Sequence, residues 1–378
     1  MTVAPTPGGR PRGGYAAEMS SIALGLPSLR RTGALPADRP ADSRLVDRFG
    51  RVATDLRVSL TDKCNLRCSY CMPAEGLDWL PDDRVLTDDE IVRLITVAVQ
   101  RLGVDEVRFT GGEPLLRRGL ESIVAATTAL RTTSGGVPST AVTTNALGLA
   151  RRATALAAAG LGRVNVSIDS LDRERFAGIT HRDRLPDVLA GIRAAADAGL
   201  TPVKLNTVLL RGVNDDEAVP LVHFALEHGY ELRFIEQMPL DPQGAWSRDG
   251  MITADEILAA LSASLTLTPL DPATRGAAPA QLWSASDGER SGRVGIVASV
   301  TRPFCGDCDR TRLTADGQVR NCLFASGETD LRALLRAGAT DAEIADAWRG
   351  DMWAKRAGHG IDDPAFLQPA RPMSAIGG

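Results

Sequence analysis

Aromatic residues are scarce. Phe, Tyr and Trp make up 4% of the 378 residues, which leaves little material for a base-stacking platform on single-stranded nucleic acid. A formal net charge of −4 builds no strong field toward nucleic acid either. No run approaches the ~20 apolar residues of a membrane span. Histidine occurs only as His181, His223, His228 and His359, none of them near a cysteine in sequence. Cysteine is rare too, but it is not scattered: Cys64, Cys68 and Cys71 form one group, Cys305, Cys308 and Cys322 another, and none is left over. A long chain whose first residues carry no apolar signal-like core does not read as a disulfide-stapled secreted domain. Close-set cysteines in such a chain read as metal ligands or redox thiols of a cytoplasmic enzyme.

Residues 1–44 are rich in Pro, Gly and Arg, as in "APTPGGRPRGG", and are expected to be a disordered extension. From residue 55 short β-branched runs alternate with Ala/Leu-rich stretches. The expected strands are 55–60, 104–110, 139–144, 163–169, 202–208 and 231–236. Between them, "TDDEIVRLITVAVQRLG" opens on a capping box, Thr87 with Glu90, and stops at Gly103. "NDDEAVPLVHFALEHG" repeats that design with Asn214, Glu217 and Gly229. Six β-α units in series predict an α/β fold, a partial six-unit (β/α) barrel, with a doubly wound open sheet as the alternative. The expected divisions are 45–240 for the barrel and 241–378 for a C-terminal region with a hairpin at Asp316-Gly317.

The loop "TDKCNLRCSYCMP" follows the first strand, where barrel enzymes place their chemistry. Its neighbours Asp62, Lys63, Asn65 and Arg67 make it a polar loop, not a set of buried structural cysteines. Structural zinc takes four ligands. Iron–sulfur clusters are normally held by four cysteines, so three leave one iron open for a ligand or a reaction. Tyr70 precedes the last cysteine, and "TGGEPLL" after the second strand lets backbone approach a ligand closely. The second group, C-x2-C-x13-C, suits zinc by spacing alone, with Asp307 or Asp309 as a fourth ligand. Arg310 and Arg312 turn that reading round. Two guanidiniums would repel a structural cation, whereas a thiolate-ligated cluster can carry negative charge.

These features resemble the radical S-adenosylmethionine superfamily. Together with "RFTGGEPLLRR", "VTTNALGL", "RVNVSIDSLD", "VKLNTVLLRGVND", "ELRFIEQMP" and the terminal "MSAIGG", the chain from about residue 45 onward resembles the GTP 3′,8-cyclases of molybdenum cofactor biosynthesis. The resemblance implies two 4Fe–4S clusters, on Cys64, Cys68 and Cys71 and on Cys305, Cys308 and Cys322. It implies S-adenosylmethionine at Tyr70, Gly112, Ser167 and Met238. GTP would be held by Arg57, Arg108, Thr143 and Lys204, and by Arg310, Thr311 and Arg312 beside the second cluster. Arg57, Arg108, Lys204 and Arg233 also break strands that a parallel sheet keeps apolar, and inside a barrel they need an anion. Arg233 receives no role. One departure from the family pattern is Ala146, where glycine is common.

The implied reaction removes the C3′ hydrogen of GTP with a 5′-deoxyadenosyl radical. C3′ then joins C8, and an electron and a proton complete 3′,8-cyclo-7,8-dihydro-GTP. Gly377 and Gly378 would reach into the site and order groups around GTP. The implied partners are an electron donor, a downstream enzyme consuming the cyclic nucleotide, and a second copy of the chain in a homodimer. The competing readings are a radical enzyme that modifies a peptide and a zinc-stabilised binding protein.

Overall fold

The computed structural model describes residues 1–2, 29–30 and 38–377. Most of the expected extension, and Gly378, lie outside these residues. From Asp38 onward the chain is already fixed. The Trp353 indole donates to Asp38 at 3.1 Å and Arg39 donates to the Asp346 carbonyl at 3.0 Å, so ordered structure begins ahead of residue 45.

The strands, in chain order, are β1 (Leu29–Arg30), β2 (Asp55–Ser59), β3 (Glu106–Thr110), β4 (Ser139–Thr144), β5 (Arg163–Ser167), β6 (Lys204–Thr207) and β7 (Glu231–Ile235). They continue with β8 (Thr266–Pro269), β9 (Gln281–Ser286), β10 (Ser291–Val297), β11 (Arg310–Leu313), β12 (Gln318–Arg320) and β13 (Gly327–Asp330). All belong to one sheet, in the order β1-β13-β12-β11-β2-β3-β4-β5-β6-β7-β10-β9-β8. Strands β2 to β7 are parallel neighbours in sequence order. A doubly wound sheet reverses its order at a switch point, and this one does not. The architecture is therefore the partial barrel, with an unclosed sheet.

The C-terminal region adds to both edges of the barrel. Strand β11 runs parallel to β2, and β10 runs parallel to β7. Their antiparallel partners, β12 and β9, then cover those strands.

The helices that cover the outside of the barrel are α1 (Asp88–Arg101), α2 (Leu120–Thr128), α3 (Leu149–Ala158), α4 (Arg173–Thr180), α5 (Leu185–Asp197) and α6 (Ala218–His228). The C-terminal region adds α7 (Ala254–Ser262), α8 (Leu331–Arg336), α9 (Asp341–Trp353) and α10 (Met373–Ile376). The capping box of α1 forms as expected: Thr87 accepts from the Glu90 amide at 3.2 Å, and Glu90 accepts from the Thr87 amide at 2.8 Å. The expected repeat at Asn214 does not form. Asn214 instead donates to the Asp169 carbonyl at 2.6 Å, and Glu217 accepts from Ser170 and the Leu171 amide at 2.7 and 2.8 Å. These two side chains brace the loop after β5, and α6 starts only at Ala218.

Side chains alternate across a strand. Leu56, Val58, Val107, Phe109, Val142, Val164, Leu205 and Phe234 point to the helices and are fully buried. Every residue between them faces the barrel lumen, and most of those are polar.

Candidate active site

Directly after β2 the loop 61–73 crosses the C-terminal mouth of the barrel. It is pinned from several sides. Arg67 and Ser69 amides donate to Thr180 and Ile179 carbonyls, each at 2.9 Å. Asn145, just past β4, donates to Asn65 at 2.8 Å and lies 3.9 Å from the Cys64 sulfur. Gly112 and Glu113 amides donate to the Thr61 and Lys63 carbonyls at 2.8 Å. A Cβ on Gly111 or Gly112 would collide with those same carbonyls. The glycines thus let the cysteine loop itself come close.

Two buried carboxylates in this region were missed. Glu113 accepts from Thr144 Oγ1, the Asn145 amide and the Leu115 amide at 2.7, 2.7 and 2.9 Å, and burial pushes it up to about 7. Asp169 accepts from the Tyr70 hydroxyl at 2.7 Å and from the Val208 amide at 2.9 Å, and burial pushes it up to about 6. An acidic residue directly after a strand, in "SID", was the available signal. Ser167 is the last residue of β5, paired with Asn206. Met238 packs beside Met251, Val300 and Ile361 past the end of β7.

Inside the lumen two rows form from the strand register. Arg312, Arg57 and Arg108 lie side by side on β11, β2 and β3, and Thr143, Asn165 and Lys204 on β4, β5 and β6. Carboxylates sit among them. Asp55 lies 3.5 Å from Arg108 and 3.9 Å from Arg57, and Glu106 lies 2.6 Å from Arg108 and also pairs with Arg163. Glu231 lies 3.6 Å from Lys204 and 2.6 Å from Arg233. Arg233 is thereby part of the same lumen network.

The cations outnumber these carboxylates. Burial and the neighbouring Arg108 hold Arg57 well below the usual guanidinium range, and burial with Arg310 beside it brings Arg312 down to about 10. Several buried lumen atoms have no hydrogen-bond partner: Arg57 Nε, Arg108 Nε, Arg310 Nε and Nη2, Asp55 Oδ1, Asn165 Oδ1 and Ser59 Oγ. Such groups call for an occupant. A cavity of about 250 Å³ bordered by Asp55, Arg108, Arg163, Asn165, Lys204 and Arg233 opens beside them. A larger hollow of about 430 Å³, lined by Leu270, Leu282 and Phe304, adjoins it and shares Arg275 and Pro279 with it.

Thr311 is not a lumen side chain. Alternation along β11 turns it toward α9, where its hydroxyl accepts from Trp348 at 3.0 Å. Only its main chain stays with Arg310 and Arg312.

The second cysteine group lies at the other end of the strands. Cys305 and Cys308 precede β11, and Cys322 follows β12, whose Arg320 pairs with Arg312. The hairpin therefore returns Cys322 to Cys308 at the N-terminal mouth. Strand β2 separates the two mouths by about 13 Å, at roughly 3.3 Å per residue. The two groups differ in setting. Burial pushes the Cys64 thiol up to about 11 and the Cys71 thiol to about 12. At Cys308 burial acts the same way, but Arg310 and Lys355 outweigh it and bring the thiol down to about 7. Lys355 Nζ lies 3.2 Å from Cys308 Sγ, and Arg51 donates to the Cys305 carbonyl at 2.5 Å. Among the described residues no three His, Cys, Asp or Glu side chains close on a single-ion site. Each mouth offers three thiols within electrostatic reach of one another. That donor set fits a cluster held by three cysteines, which bind as thiolates and release protons on loading.

The tail lies at the C-terminal mouth. Ile376 is fully buried, the Ser374 amide points at the Cys71 sulfur, and the Gly377 carbonyl accepts from Arg312. Gly377 has φ 82°, and a Cβ there would collide with Ser59 and Thr110. Both facts demand glycine. Gly378 lies outside the described residues.

Comparison with known proteins decides the family. A GTP 3′,8-cyclase of Mycolicibacterium smegmatis is 59% identical over 368 residues, 95% of this chain and 100% of that protein. The chain belongs to the GTP 3′,8-cyclase family. A member from Streptomyces coelicolor is 61% identical over 90% of this chain and 98% of its own, and one from Corynebacterium glutamicum (strain R) is 55% identical over 100% and 99%. The Radical SAM superfamily matches residues 58–225, and Molybdenum Cofactor Synthesis C matches residues 230–361. A crystal structure of Streptococcus suis SuiB bound to precursor peptide SuiA has a TM-score of 0.53 at 14% identity, covering 82% of this chain and 67% of that one. It shares the fold. Family membership brings S-adenosylmethionine and two 4Fe–4S clusters. Among the described residues no helix is long and apolar enough to cross a membrane.

Proposed function

We propose that this chain converts GTP to (8S)-3′,8-cyclo-7,8-dihydroguanosine 5′-triphosphate, the first step of molybdenum cofactor biosynthesis. The observation that carries this reading is the row of buried, partly unpartnered lumen cations set between two cysteine groups at opposite mouths. When bound, the first cluster and S-adenosylmethionine supply a 5′-deoxyadenosyl radical.

The chain's own residues do the rest. Tyr70, Gly112, Ser167 and Met238 surround the C-terminal mouth and hold S-adenosylmethionine there. Arg57, Arg108, Thr143 and Lys204 bind GTP within the lumen, and the loss of mobility brings C3′ to the reacting group. Arg310 and Arg312, with the Thr311 main chain, hold its other end near the second cluster. The barrel, 45–240, thus serves radical generation and holds one end of GTP, and 241–378 carries the second cluster and holds the other end. A one-electron donor, a second copy of the chain, a cytoplasmic setting and a downstream enzyme yielding cyclic pyranopterin monophosphate complete the proposal.

Arg310→Ala or Arg312→Ala is expected to weaken GTP binding about tenfold or more, since a lost charge-assisted contact is worth roughly 1.5–3 kcal/mol. Equilibrium GTP binding on protein with unchanged iron content tests it; parent affinity in both would remove the lumen as the GTP site.

Lys204 adds a pH dependence. Burial and Arg233 bring its ammonium down to about 8. Its charge is complete below that value and lost as pH rises through it. GTP affinity is therefore expected to fall above about pH 8, and Lys204→Arg, which stays charged, to abolish the fall. Binding isotherms across roughly pH 7 to 9 measure it. A flat profile in the parent would show that Lys204 does not contact an anion.

A further inference from the structure

A helix as short as α10 does not hold itself together, and chain ends fray unless tied down. Ahead of the contacts made by Ser374, Ile376 and Gly377, one side chain ties this end to two carboxylates. Arg371 Nε and Nη2 donate to the two carboxylate oxygens of Glu328 at 2.9 and 2.8 Å. Its Nη1 and Nη2 donate to the two oxygens of Asp316 at 3.1 and 2.8 Å. Asp316 sits in the turn between β11 and β12, and Glu328 on β13, where it also pairs with the buried Arg320 at 3.1 Å. That turn lies at the C-terminal end of β11, which is parallel to β2. The clasp is therefore at the same mouth as Cys64, Cys68 and Cys71. From Arg371 the chain passes through Pro372 directly into the single turn of α10, and Gly377 follows between Ser59, Thr110 and Arg312 with no slack.

We propose that Arg371 is the positioning residue that docks the C-terminal tail at the barrel mouth, by clasping Asp316 and Glu328, so that Gly377 reaches the lumen. The inference rests on the reading of Gly377 and Gly378 as part of the active site. The planar fork makes four hydrogen bonds to two carboxylates, more than the three donors of a lysine ammonium can supply. The clasp itself touches neither cysteine group, but the tail it docks reaches the Cys71 sulfur through the Ser374 amide, so iron content, cleavage of S-adenosylmethionine and cyclisation are each measured.

The test supplies the tail in trans to otherwise unaltered protein. A cluster-loaded chain ending at Ala370 lacks both clasp and tail, and its cyclic product and 5′-deoxyadenosine are measured separately. A synthetic peptide of residues 371–378 is expected to restore part of the cyclic product. The same peptide carrying Arg371→Met is expected to need at least tenfold more. Equal potency of the two peptides would overturn the clasp. Parent-level cyclisation by the chain ending at Ala370 would overturn the reading of the tail, and the clasp with it. Where neither peptide restores turnover, the full-length Arg371→Met protein decides. Cyclic product per 5′-deoxyadenosine reduced at least tenfold at unchanged iron supports the clasp, and a parent ratio refutes it.

Discussion

Cys68→Ala is expected to abolish 5′-deoxyadenosine formation and to remove about four irons per chain while about four remain. The loss follows from the layout of the two cysteine groups. Cys68 is the central ligand of a loop fixed by Thr180, Ile179, Asn145 and the Gly112–Glu113 segment, and its carbonyl closes the turn to Cys71 and Met72 at 2.8 and 3.0 Å. Two thiols cannot replace three. The second group lies across the length of β2 and, among the described residues, shares no hydrogen bond with the first, so its irons are expected to stay. Iron analysis and a cleavage assay on anaerobically reconstituted protein read both effects. Cleavage of S-adenosylmethionine at the parent rate would show that the radical centre is elsewhere.

A chain ending at Ile376 is expected to keep both clusters, the fold and cleavage of S-adenosylmethionine, and to lose cyclisation almost wholly. Gly377 is the residue that Arg312 grips, and it fills a gap between Ser59 and Thr110 where no Cβ fits. Its removal leaves the Arg312 guanidinium without that carbonyl and opens the mouth of the lumen to water. The fold should survive, because Ile376, the last buried apolar residue, is retained. What is lost is the alignment of groups around GTP, and proximity of this kind is worth several orders of magnitude in rate. Quantifying the cyclic nucleotide beside 5′-deoxyadenosine distinguishes lost alignment from a lost cluster. Full cyclisation by the truncated chain would make the tail a loose end.

Much of this was legible in the sequence because it is local. The six barrel strands, the capping box at Thr87 and the hairpin at Asp316-Gly317 each depend on neighbours a few residues apart. Both cysteine groups were legible for the same reason. What was not legible is non-local. Nothing in "RTRL" says that β11 lies parallel to β2, some 250 residues earlier, yet that pairing puts Arg312 beside Arg57 and sends the two cysteine groups to opposite mouths. The strands β9 and β10 were missed although Asp287-Gly288 between alternating runs is a hairpin signal. Asn214 and Glu217 read as a cap because local pattern says so, but a buried loop claimed their hydrogen bonds. Four strand cations were noticed, while the carboxylates two residues away, Asp55, Glu106 and Glu231, were not. The strict polar alternation of "DLRVS", "EVRFT" and "RVNVS" would have shown a polar lumen facing an apolar outer layer. Ala146 carries φ 64°, the left-handed conformation for which glycine is the easier choice, so the departure is tolerated at some backbone strain.

The central claim is that this lumen holds GTP with C3′ presented to the radical formed at the first cysteine group. The most direct measurement uses GTP deuterated at C3′, with S-adenosylmethionine and a reductant, under anaerobic conditions. Mass analysis of the 5′-deoxyadenosine should find one deuterium in it, alongside a cyclic nucleotide of the mass of GTP less that deuterium plus one hydrogen. Undeuterated 5′-deoxyadenosine, formed at the same rate with or without GTP, would contradict the account.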